Sequence, residues 1–308
     1  MSFIFRFEKK KKQNDNITEP IFLRTANDNY EFITIKGVLE YNKIPYVTSG
    51  HGAESYLRIK TGVNLGRINF LVKNTDFERA KNLVDSIFTN DEKLEKMDDF
   101  FATRIVMYEN HMLTAVEGLK EAYKIMAETL PKNTNNLLDL GCGTGLELDE
   151  IFKINPDVYV TGIDLTQTML DKLAEKHPDK NLNLICGNYF DILFGKEKFD
   201  AAISFETLHH FTHDEKIRLY HKIFDAVKTN GCYIECDYMV EKQEEEDFYF
   251  YELKRLRKEQ NIPDDELVHF DTPLTIENQI KLLKTVGFYK TKKIYKCKGT
   301  VILKATKL

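Results

Sequence analysis

From residue 137 onward, the chain alternates short apolar runs with segments in which apolar residues recur every three or four positions. A short apolar run favours a buried strand, and the longer spacing favours a helix with one buried face. Strands are predicted at 137–140, 158–163, 182–186, 199–204 and 231–237, with helices between them, for example at 214–227. This alternation predicts an α/β fold with a doubly wound parallel sheet.

Both flanks of this region also carry clear patterns. Upstream, apolar residues keep helical spacing from 105 to 126 and stop before Pro131, which predicts one long helix. Downstream, a helix with Ile276, Ile280 and Leu283 is followed by apolar runs at 291–295 and 300–303. The two runs predict a terminal hairpin.

Residues 21–90 have a different pattern, with short elements in the order βαβββα. Strands are predicted at 21–23, 45–47, 56–59 and 68–72, and helices at 29–41 and 76–88. This order predicts a small α+β, ferredoxin-like domain with its helices on one face of a mostly antiparallel sheet. The polar residues 1–20 are expected to form a flexible lead-in. The charged segment 89–99 is expected to be a linker to a second domain at 98–308.

Two stretches of the small domain, residues 36–46 and 76–80, resemble a family of small prokaryotic domains assigned to signal transduction. The resemblance implies a module that senses a ligand or presents a substrate. A packing or dimerisation domain explains the same pattern. Both interpretations stay open, and a homodimer stays open with them.

Composition and charge narrow the class of protein. The chain has 308 residues, a hydrophobic fraction of 42% and a formal net charge of −5. The negative charge argues against a nucleic-acid partner. No apolar run is long enough to span a membrane, and the basic run at 9–12 follows the N-terminal apolar residues, whereas a signal peptide has the reverse order. We therefore expect a cytoplasmic protein with no membrane partner.

The five cysteines contain no Cys-x-x-Cys pair, and most lie in or beside strand-like runs. Buried, reduced thiols are therefore expected rather than disulfides or a zinc site. No metal site is predicted.

The most informative stretch is Leu-Leu-Asp-Leu-Gly-Cys-Gly-Thr-Gly at residues 137–145. Gly141, Gly143 and Gly145 let the backbone turn tightly from a strand into a helix and let a ligand approach the main chain. Ligands of such sheets bind beyond the carboxyl ends of the strands, so the other strand ends are candidates too. Asp164 ends the second predicted strand, where a carboxylate can accept both hydroxyls of a ribose.

The third predicted strand ends in Cys-Gly-Asn-Tyr-Phe-Asp at 186–191, and the fourth in Ser-Phe-Glu-Thr-Leu-His-His-Phe at 204–211. An amide beside aromatic rings suits an adenine. Together, the four strand ends resemble the class I S-adenosylmethionine-dependent methyltransferases over residues 98–308. A nicotinamide oxidoreductase, the alternative for a glycine-rich turn, would need glycine or alanine where this chain has Leu146.

The resemblance implies an enzyme with a seven-stranded, Rossmann-like sheet, an antiparallel last strand and S-adenosylmethionine as cofactor. Carried over by position, the methionine part would lie at Asp139, Gly141, Cys142 and Gly143, the ribose at Asp164, the adenine at Leu165, Met169, Asn188, Tyr189 and Phe190, and the sulfonium beside Phe205. Simpler roles stay open for two of these residues. Asp139 could be merely a cap for the turn, and Met169 could be merely a core residue, without contact to the cofactor in either case.

Methyl transfer from a sulfonium needs in-line alignment and, for a protonated acceptor, a base. His209 and His210 are the candidate bases, and Tyr108 resembles a residue of the helix that covers the cofactor in small-molecule members of the family. The histidines are predicted on a helix, where neighbours point about 100° apart, so at most one would face the site. Asp237, at the end of the fifth strand, is a further candidate carboxylate.

Residues 241–265 are predicted to form a helical insert above the active-site face, with acidic residues at 244–247 and aromatic residues at 248–251. The aromatics could cap a small substrate, or they could pack on the sheet beneath a solvated acidic helix. We expect methyl transfer to a small-molecule acceptor by in-line SN2 displacement. Methylation of a protein or tRNA and a non-catalytic, S-adenosylmethionine-binding regulator are the alternatives.

Overall fold

The computed structural model describes residues 20–26, 29–50, 68–88, 93–114, 116 and 118–308. Contacts divide the chain into two units, which meet in sequence at Phe88 and Thr89. The predicted lead-in, up to residue 19, and the predicted strand at 56–59 lie outside the described residues. Among the described helices, none is long and apolar enough to cross a membrane.

The first unit combines a small antiparallel sheet with two helices. Its described elements are β1 (Ile21–Ala26), α1 (Asn29–Tyr41), β2 (Tyr46–Gly50), β3 (Ile68–Val72) and α2 (Asn74–Phe88). The strand order is β1-β3-β2, with both pairs antiparallel. Phe70 on the central strand is fully buried, with the rings of Phe32 and Tyr46 each 5.4 Å away. Its predicted role in sensing, substrate presentation or dimerisation stays a prediction.

The second unit contains a larger sheet with helices on both faces. Its elements are β4 (Glu95–Lys96), α3 (Met97–Thr114), α4 (Leu119–Thr129), β5 (Asn136–Leu140), α5 (Leu146–Ile154), β6 (Tyr159–Asp164), α6 (Gln167–Lys176), β7 (Leu182–Cys186), β8 (Phe199–Phe205), α7 (His213–Ala226), β9 (Val227–Tyr238), α8 (Gln243–Gln260), β10 (Val268–His269), α9 (Ile276–Val286), β11 (Lys290–Cys297) and β12 (Thr300–Thr306). The sheet has seven strands in the order β11-β12-β9-β8-β5-β6-β7. The strands from β9 to β7 are parallel, and β12 runs antiparallel to both β9 and β11. The predicted α/β fold and its terminal hairpin are confirmed.

The first strand of the parallel region, β5, lies at the centre of the sheet. It pairs with β8 on one side and with β6 on the other, so the strand order reverses at its carboxyl end. Its side chains alternate between the two core layers, with Leu138 and Leu140 in one and Leu137 in the other. Because ligands of such sheets bind at this reversal, the fold places the candidate site just beyond Leu140.

The prediction of a single long helix before the sheet is wrong. The chain forms two helices instead, because α3 ends at Thr114 and α4 begins at Leu119. Gly118 separates them with a φ of +84°, and a Cβ at this position would lie 2.5 Å from the Cβ of Cys297. The Tyr295 hydroxyl donates to the Gly118 carbonyl at 3.2 Å, which fixes the turn. Continuous apolar spacing in the sequence does not reveal a break that depends on this distant hairpin.

Part of the predicted linker at 89–99 also has a defined structure. Residues Glu95–Lys96 form β4, which pairs antiparallel with β10. Leu94 packs with Leu253, Leu256 and Val268 beside this pair. The pairing brings the start of α3, the insert helix α8 and the segment after β10 together at one end of the large sheet.

Candidate active site

The glycine-rich turn after β5 has the conformation that its sequence predicts. Gly141, Gly143 and Gly145 all have positive φ, at +70°, +47° and +72°. The Gly141 amide donates to the Ile163 carbonyl at 2.8 Å, which ties the turn to the end of β6. A Cβ on Gly141 would lie 2.3 Å from Thr207 Oγ1 after β8. The turn is therefore fixed against the ends of both neighbouring strands.

Asp164 joins the ends of β5 and β6. Its Oδ2 accepts from the Gly143 amide at 2.9 Å, and its Oδ1 accepts from the Thr166 amide at 2.8 Å. Burial raises the pKa of Asp164 to about 6, against the two amide hydrogen bonds that lower it. Each carboxylate oxygen has a second lone pair, so Asp164 can still accept from a ligand.

Two carboxyl groups beneath the turn have oxygens without a hydrogen-bond partner among the described residues. Asp139 is fully buried and Glu147 is nearly so. Neither Asp139 oxygen, nor Oε1 of Glu147, has a hydrogen-bond partner among the described residues. Burial raises the pKa of both groups, that of Glu147 to about 7. Buried carboxyl groups of this kind fit a cationic, hydrogen-bonding ligand group, because such a group offsets the desolvation cost.

Glu147 is a residue that the sequence reasoning missed. It is the second residue of α5, directly after the glycine-rich turn, and could have been found from that position. The pattern of the helix explained it as an ordinary polar residue in a first turn, where acidic side chains are favoured. Only its burial next to Asp139 marks it as part of the site.

The residues predicted at the adenine lie at the ends of β6 and β7. Asn188 Oδ1 accepts from the Phe190 amide at 2.9 Å, and the Tyr189 hydroxyl contacts Thr207 at 3.4 Å. Leu165 packs on the same core layer as Tyr189, and Met169 is buried. Their roles toward an adenine stay predictions.

Tyr108 and Phe205 approach the cleft from different elements. Tyr108 on α3 lies over the glycine-rich turn, where a Cβ on Gly143 would be 3.6 Å from its hydroxyl oxygen. Burial raises the pKa of Tyr108, so its hydroxyl keeps its proton. Phe205 ends β8 and stacks on Tyr123 with ring centroids 4.1 Å apart. The roles predicted for both residues stay predictions.

His209 and His210 lie in a turn between β8 and α7, not on the predicted helix. Their ring centroids are 4.1 Å apart, so both rings belong to one cluster. The expectation that at most one of them faces the site stays a prediction. His209 Nδ1 lies 2.5 Å from Asp237 Oδ1. The Leu208 and Tyr238 amides donate to Asp237 at 3.1 and 3.0 Å and hold this carboxylate at the end of β9.

Three further groups complete the cluster, and sequence reasoning missed all of them. Asp271 Oδ1 lies 3.6 Å from His209 Nε2 and 3.4 Å from His210 Nδ1. Glu206 Oε2 lies 3.7 Å from His209 Nδ1. The His269 ring is 4.7 Å from that of His210. Asp271 and His269 follow the insert in sequence, and no local pattern connects them to the end of β8.

The two histidines differ in charge at neutral pH. Burial alone would lower the pKa of His209, but the charge and hydrogen bond of Asp237, with Asp271 and Glu206, outweigh burial and raise this pKa to about 9. Burial and the neighbouring His209 charge lower the pKa of His210. At neutral pH, His209 is therefore a hydrogen-bond donor on both ring nitrogens, and His210 is the member of the pair that can accept a proton.

The insert helix α8 is docked at the same end of the sheet. Buried Glu246 accepts from the Thr275 amide at 2.5 Å and from Asn278 Nδ2 at 2.9 Å. The Tyr249 hydroxyl lies 3.2 Å from that of Tyr238, which is next to the histidine cluster. Phe248 and Tyr251 are exposed. The helix thus packs on this end of the sheet with one side and presents two aromatic rings to solvent, and its predicted role as a cap over the substrate stays a prediction.

Residues 137–231 match a protein family described as a methyltransferase domain. The carboxy-S-adenosyl-L-methionine synthase of Helicobacter pylori is 27% identical to this chain over 253 residues, which cover 77% of this chain and 100% of that protein. The tRNA (carboxymethyluridine(34)-5-O)-methyltransferase of Saccharomyces cerevisiae is 26% identical over 95 residues, or 30% of this chain and 32% of that one.

Among solved structures, a protein of Nostoc punctiforme provisionally described as an O-methyltransferase has a TM-score of 0.50 at 17% identity, over 67% of this chain and 59% of that one. A provisionally assigned methyltransferase of Haloferax volcanii, in complex with a methyltransferase activator, has a TM-score of 0.51 at 14% identity, over 69% and 98% of the two chains. Both likenesses concern the fold.

Proposed function

We propose that this chain is a class I S-adenosylmethionine-dependent methyltransferase and that it methylates a small organic acceptor bound between the His209–His210 turn and α8. One observation carries the proposal: the polar histidine pair is almost fully buried, although it lies at the strand end where a substrate should approach. The rings of Phe101 and Tyr238 surround it. Polar groups that are buried among aromatic rings suit the recognition of a small molecule.

The residues at the other strand ends fit the cofactor. Asp139 and Glu147 offer unpaired carboxyl oxygens to the ammonium group of the methionine part. Asp164 keeps lone pairs for the ribose hydroxyls, and the glycine-rich turn leaves room for the ligand beside the main chain. When bound, S-adenosylmethionine supplies a methyl group that the sulfonium already activates. The protein then has to align the acceptor and exclude water.

The acceptor end of the site, which comprises the His209–His210 turn and α8, favours a small molecule over a tRNA. The match to the yeast tRNA enzyme spans 95 residues, which is less than a third of either chain. The insert helix α8 closes over the site through Glu246 and Tyr249, which leaves less room for a nucleotide still attached to its strand. The net charge of −5 also disfavours binding of a polyanion.

A second candidate follows from the relatives that match over their full length. Their name states that they make a carboxylated form of S-adenosylmethionine. The polar partners of His209 in this chain are the carboxyl groups of Asp237, Asp271 and Glu206. The carboxylate of a carboxylated cofactor would therefore be repelled by their negative charge. On this ground, we favour methyl transfer and keep carboxylation of the cofactor as an outcome of the test.

The cofactor site is tested by calorimetry with S-adenosylmethionine and S-adenosylhomocysteine. Both should bind to the unmodified chain, and Asp164→Ala should weaken binding at least tenfold, because it removes a charged acceptor for the ribose. Asp179→Ala, an exposed aspartate in the turn after α6, is the matched control and should bind normally. Equal binding by all three proteins would contradict the assignment of Asp164.

The acceptor class is tested with S-adenosylmethionine that carries a deuterated methyl group. The enzyme is incubated separately with small metabolites, total tRNA and total protein from cells, and the label is followed by mass spectrometry. Label in the small-molecule fraction, lost in His210→Ala while S-adenosylhomocysteine still binds, supports the proposal. Label in tRNA or protein, or conversion of the cofactor to its carboxylated form, overturns it.

A further inference from the structure

We propose that His209, His210 and Asp271 form a binding site for one divalent transition-metal ion at the acceptor end of the active site. The proposed methyl transfer does not require this site, so the inference goes beyond it. Metal binding can be measured without an acceptor and without turnover. Failure of one proposal therefore leaves the other open to its own test.

The ligand atoms already converge on one point. One side-chain ligand atom from each of the three residues lies within 4.8 Å of the other two. Asp271 Oδ1 is 3.6 Å from His209 Nε2 and 3.4 Å from His210 Nδ1. Ligands bound at roughly 2.0–2.2 Å to a single ion stand about 3–3.5 Å apart, so the two Asp271 distances are already close to those of an occupied site. His210 Nδ1 also lies 3.2 Å from the Phe270 carbonyl, and the ion replaces this contact when it binds.

Asp237 supplies the contact that metal-binding histidines usually have on their other nitrogen. His209 donates Nδ1–H to Asp237, which fixes the ring and leaves Nε2 toward Asp271. Nε2 releases its proton when the ion binds, as metal-ligating histidines do. Carboxylate partners of this kind orient metal-ligating histidines and increase their basicity. The Leu208 and Tyr238 amides donate to Asp237 and hold the carboxylate that orients His209.

The two segments that supply the ligands are also tied together. Thr272 donates its amide and its hydroxyl to the His209 carbonyl, at 2.5 and 3.1 Å. This places Asp271, the neighbour of Thr272, beside the histidine pair before any ion binds. Preorganisation of the ligands lowers the ordering cost of binding.

The site has an entry path and positions for further ligands. The Asp271 side chain is 43% exposed, whereas that of His210 is 2% exposed. Buried Glu206 has one carboxyl oxygen, Oε1, without a hydrogen-bond partner among the described residues, and its other oxygen lies 3.7 Å from His209. Two histidines and one carboxylate leave coordination positions open, as in sites for Fe²⁺, Mn²⁺ or Zn²⁺. An oxygen or nitrogen of the acceptor can take such a position.

The sequence analysis predicted no metal site because it considered cysteine spacing. The proposed ligands have no such spacing, since Phe270, the neighbour of Asp271, comes 60 positions after His210. The pairing of β4 with β10, the docking of α8 and the bonds of Thr272 to the His209 carbonyl bring the two segments together.

The test uses the untagged full chain, stripped of metal with a chelator, and Co²⁺ and Zn²⁺ as probes. Calorimetry gives stoichiometry and affinity, and the visible ligand-field absorption of Co²⁺ reports on its ligands. Asp271→Asn is the main variant, because a half-exposed side chain tolerates substitution. Asp237→Asn tests whether the carboxylate that orients His209 contributes to metal binding. His177→Ala is the matched control, since His177 is also paired with a carboxylate, at 2.7 Å from Asp149, but lies away from the cluster.

We expect one ion per chain, with at least tenfold weaker binding in Asp271→Asn and about 10–100-fold weaker binding in Asp237→Asn. His177→Ala should bind as tightly as the unmodified chain, and S-adenosylhomocysteine should bind all four proteins. Absence of stoichiometric binding by the unmodified chain would overturn the proposal and leave a purely hydrogen-bonded cluster. Equal metal affinity in Asp271→Asn and the unmodified chain would overturn it as well.

Discussion

Two glycines of the turn after β5 should respond differently to the same substitution. Gly141 and Gly143 both have positive φ, so alanine is strained at either position. A Cβ on Gly143 would lie 3.6 Å from its nearest neighbour, which is an ordinary contact. A Cβ on Gly141 would lie 2.3 Å from Thr207 Oγ1 and 2.7 Å from Thr207 Cβ, which is a severe overlap. We predict that Gly141→Ala destabilises the second unit more than Gly143→Ala does.

The size of each effect follows from two separate costs. Left-handed backbone costs alanine roughly 1–2 kcal/mol, and the lower entropy of the unfolded alanine chain offsets about 0.4–1 kcal/mol of this. Gly143→Ala should therefore lower the free energy of unfolding by about 1 kcal/mol. Overlap with Thr207 adds about 1–3 kcal/mol, as overpacking does in cores, so Gly141→Ala should cost about 2–4 kcal/mol in total.

The assay is urea denaturation without ligand, followed by circular dichroism because the chain has no tryptophan. Thr207→Gly removes the three atoms nearest to a Cβ on Gly141, which are Oγ1, Cβ and Cγ2 of Thr207. A double-mutant cycle should therefore give a coupling of at least about 1 kcal/mol between positions 141 and 207, and close to none between 143 and 207. Equal losses in Gly141→Ala and Gly143→Ala, or no coupling with Thr207→Gly, would refute the reasoning.

Three further outcomes are expected. Lowering the pH through about 6 should weaken binding of S-adenosylhomocysteine, because burial raises the pKa of Asp164 to about 6 and a protonated carboxyl group is a poorer acceptor for the ribose. Calorimetry across this range should show a smaller dependence in Asp164→Asn, in which only the other carboxyl groups of the site, such as Glu147 with a pKa of about 7, still titrate. Thr212→Ala should lower the free energy of unfolding by about 0.5–2 kcal/mol, because Thr212 and Glu215 form the capping box of α7; an unchanged urea midpoint would contradict this. Glu246→Ala should speed hydrogen exchange in residues 243–260, because Glu246 holds α8 through the Thr275 amide; unchanged exchange would show that other contacts dock the helix.

The sequence alone determined the features that depend on near neighbours along the chain. Apolar spacing located the strands of the large sheet and its closing hairpin, because burial on two faces requires apolar runs of strand length. The alternating glycines located the turn after β5, because a left-handed backbone favours residues without a Cβ. Asp164 was found in the same way, since a carboxylate that ends a buried strand is costly without a partner. These local rules were enough for the fold class.

Only the tertiary structure decided the features that depend on contacts between segments far apart in the sequence. Gly118 interrupts a continuous apolar stripe because the β11–β12 hairpin packs against it. The residues near Gly118 in the sequence do not predict this contact. Glu147 became part of the site through burial beside Asp139, which a helical pattern does not record. Asp271 meets the histidine pair across a long insert, through tertiary contacts such as the bond of Thr272 to the His209 carbonyl. Side chains that carry chemistry were therefore recognisable in the sequence where the strands end, whereas the partners that set their charge and orientation came from distant segments joined by the fold.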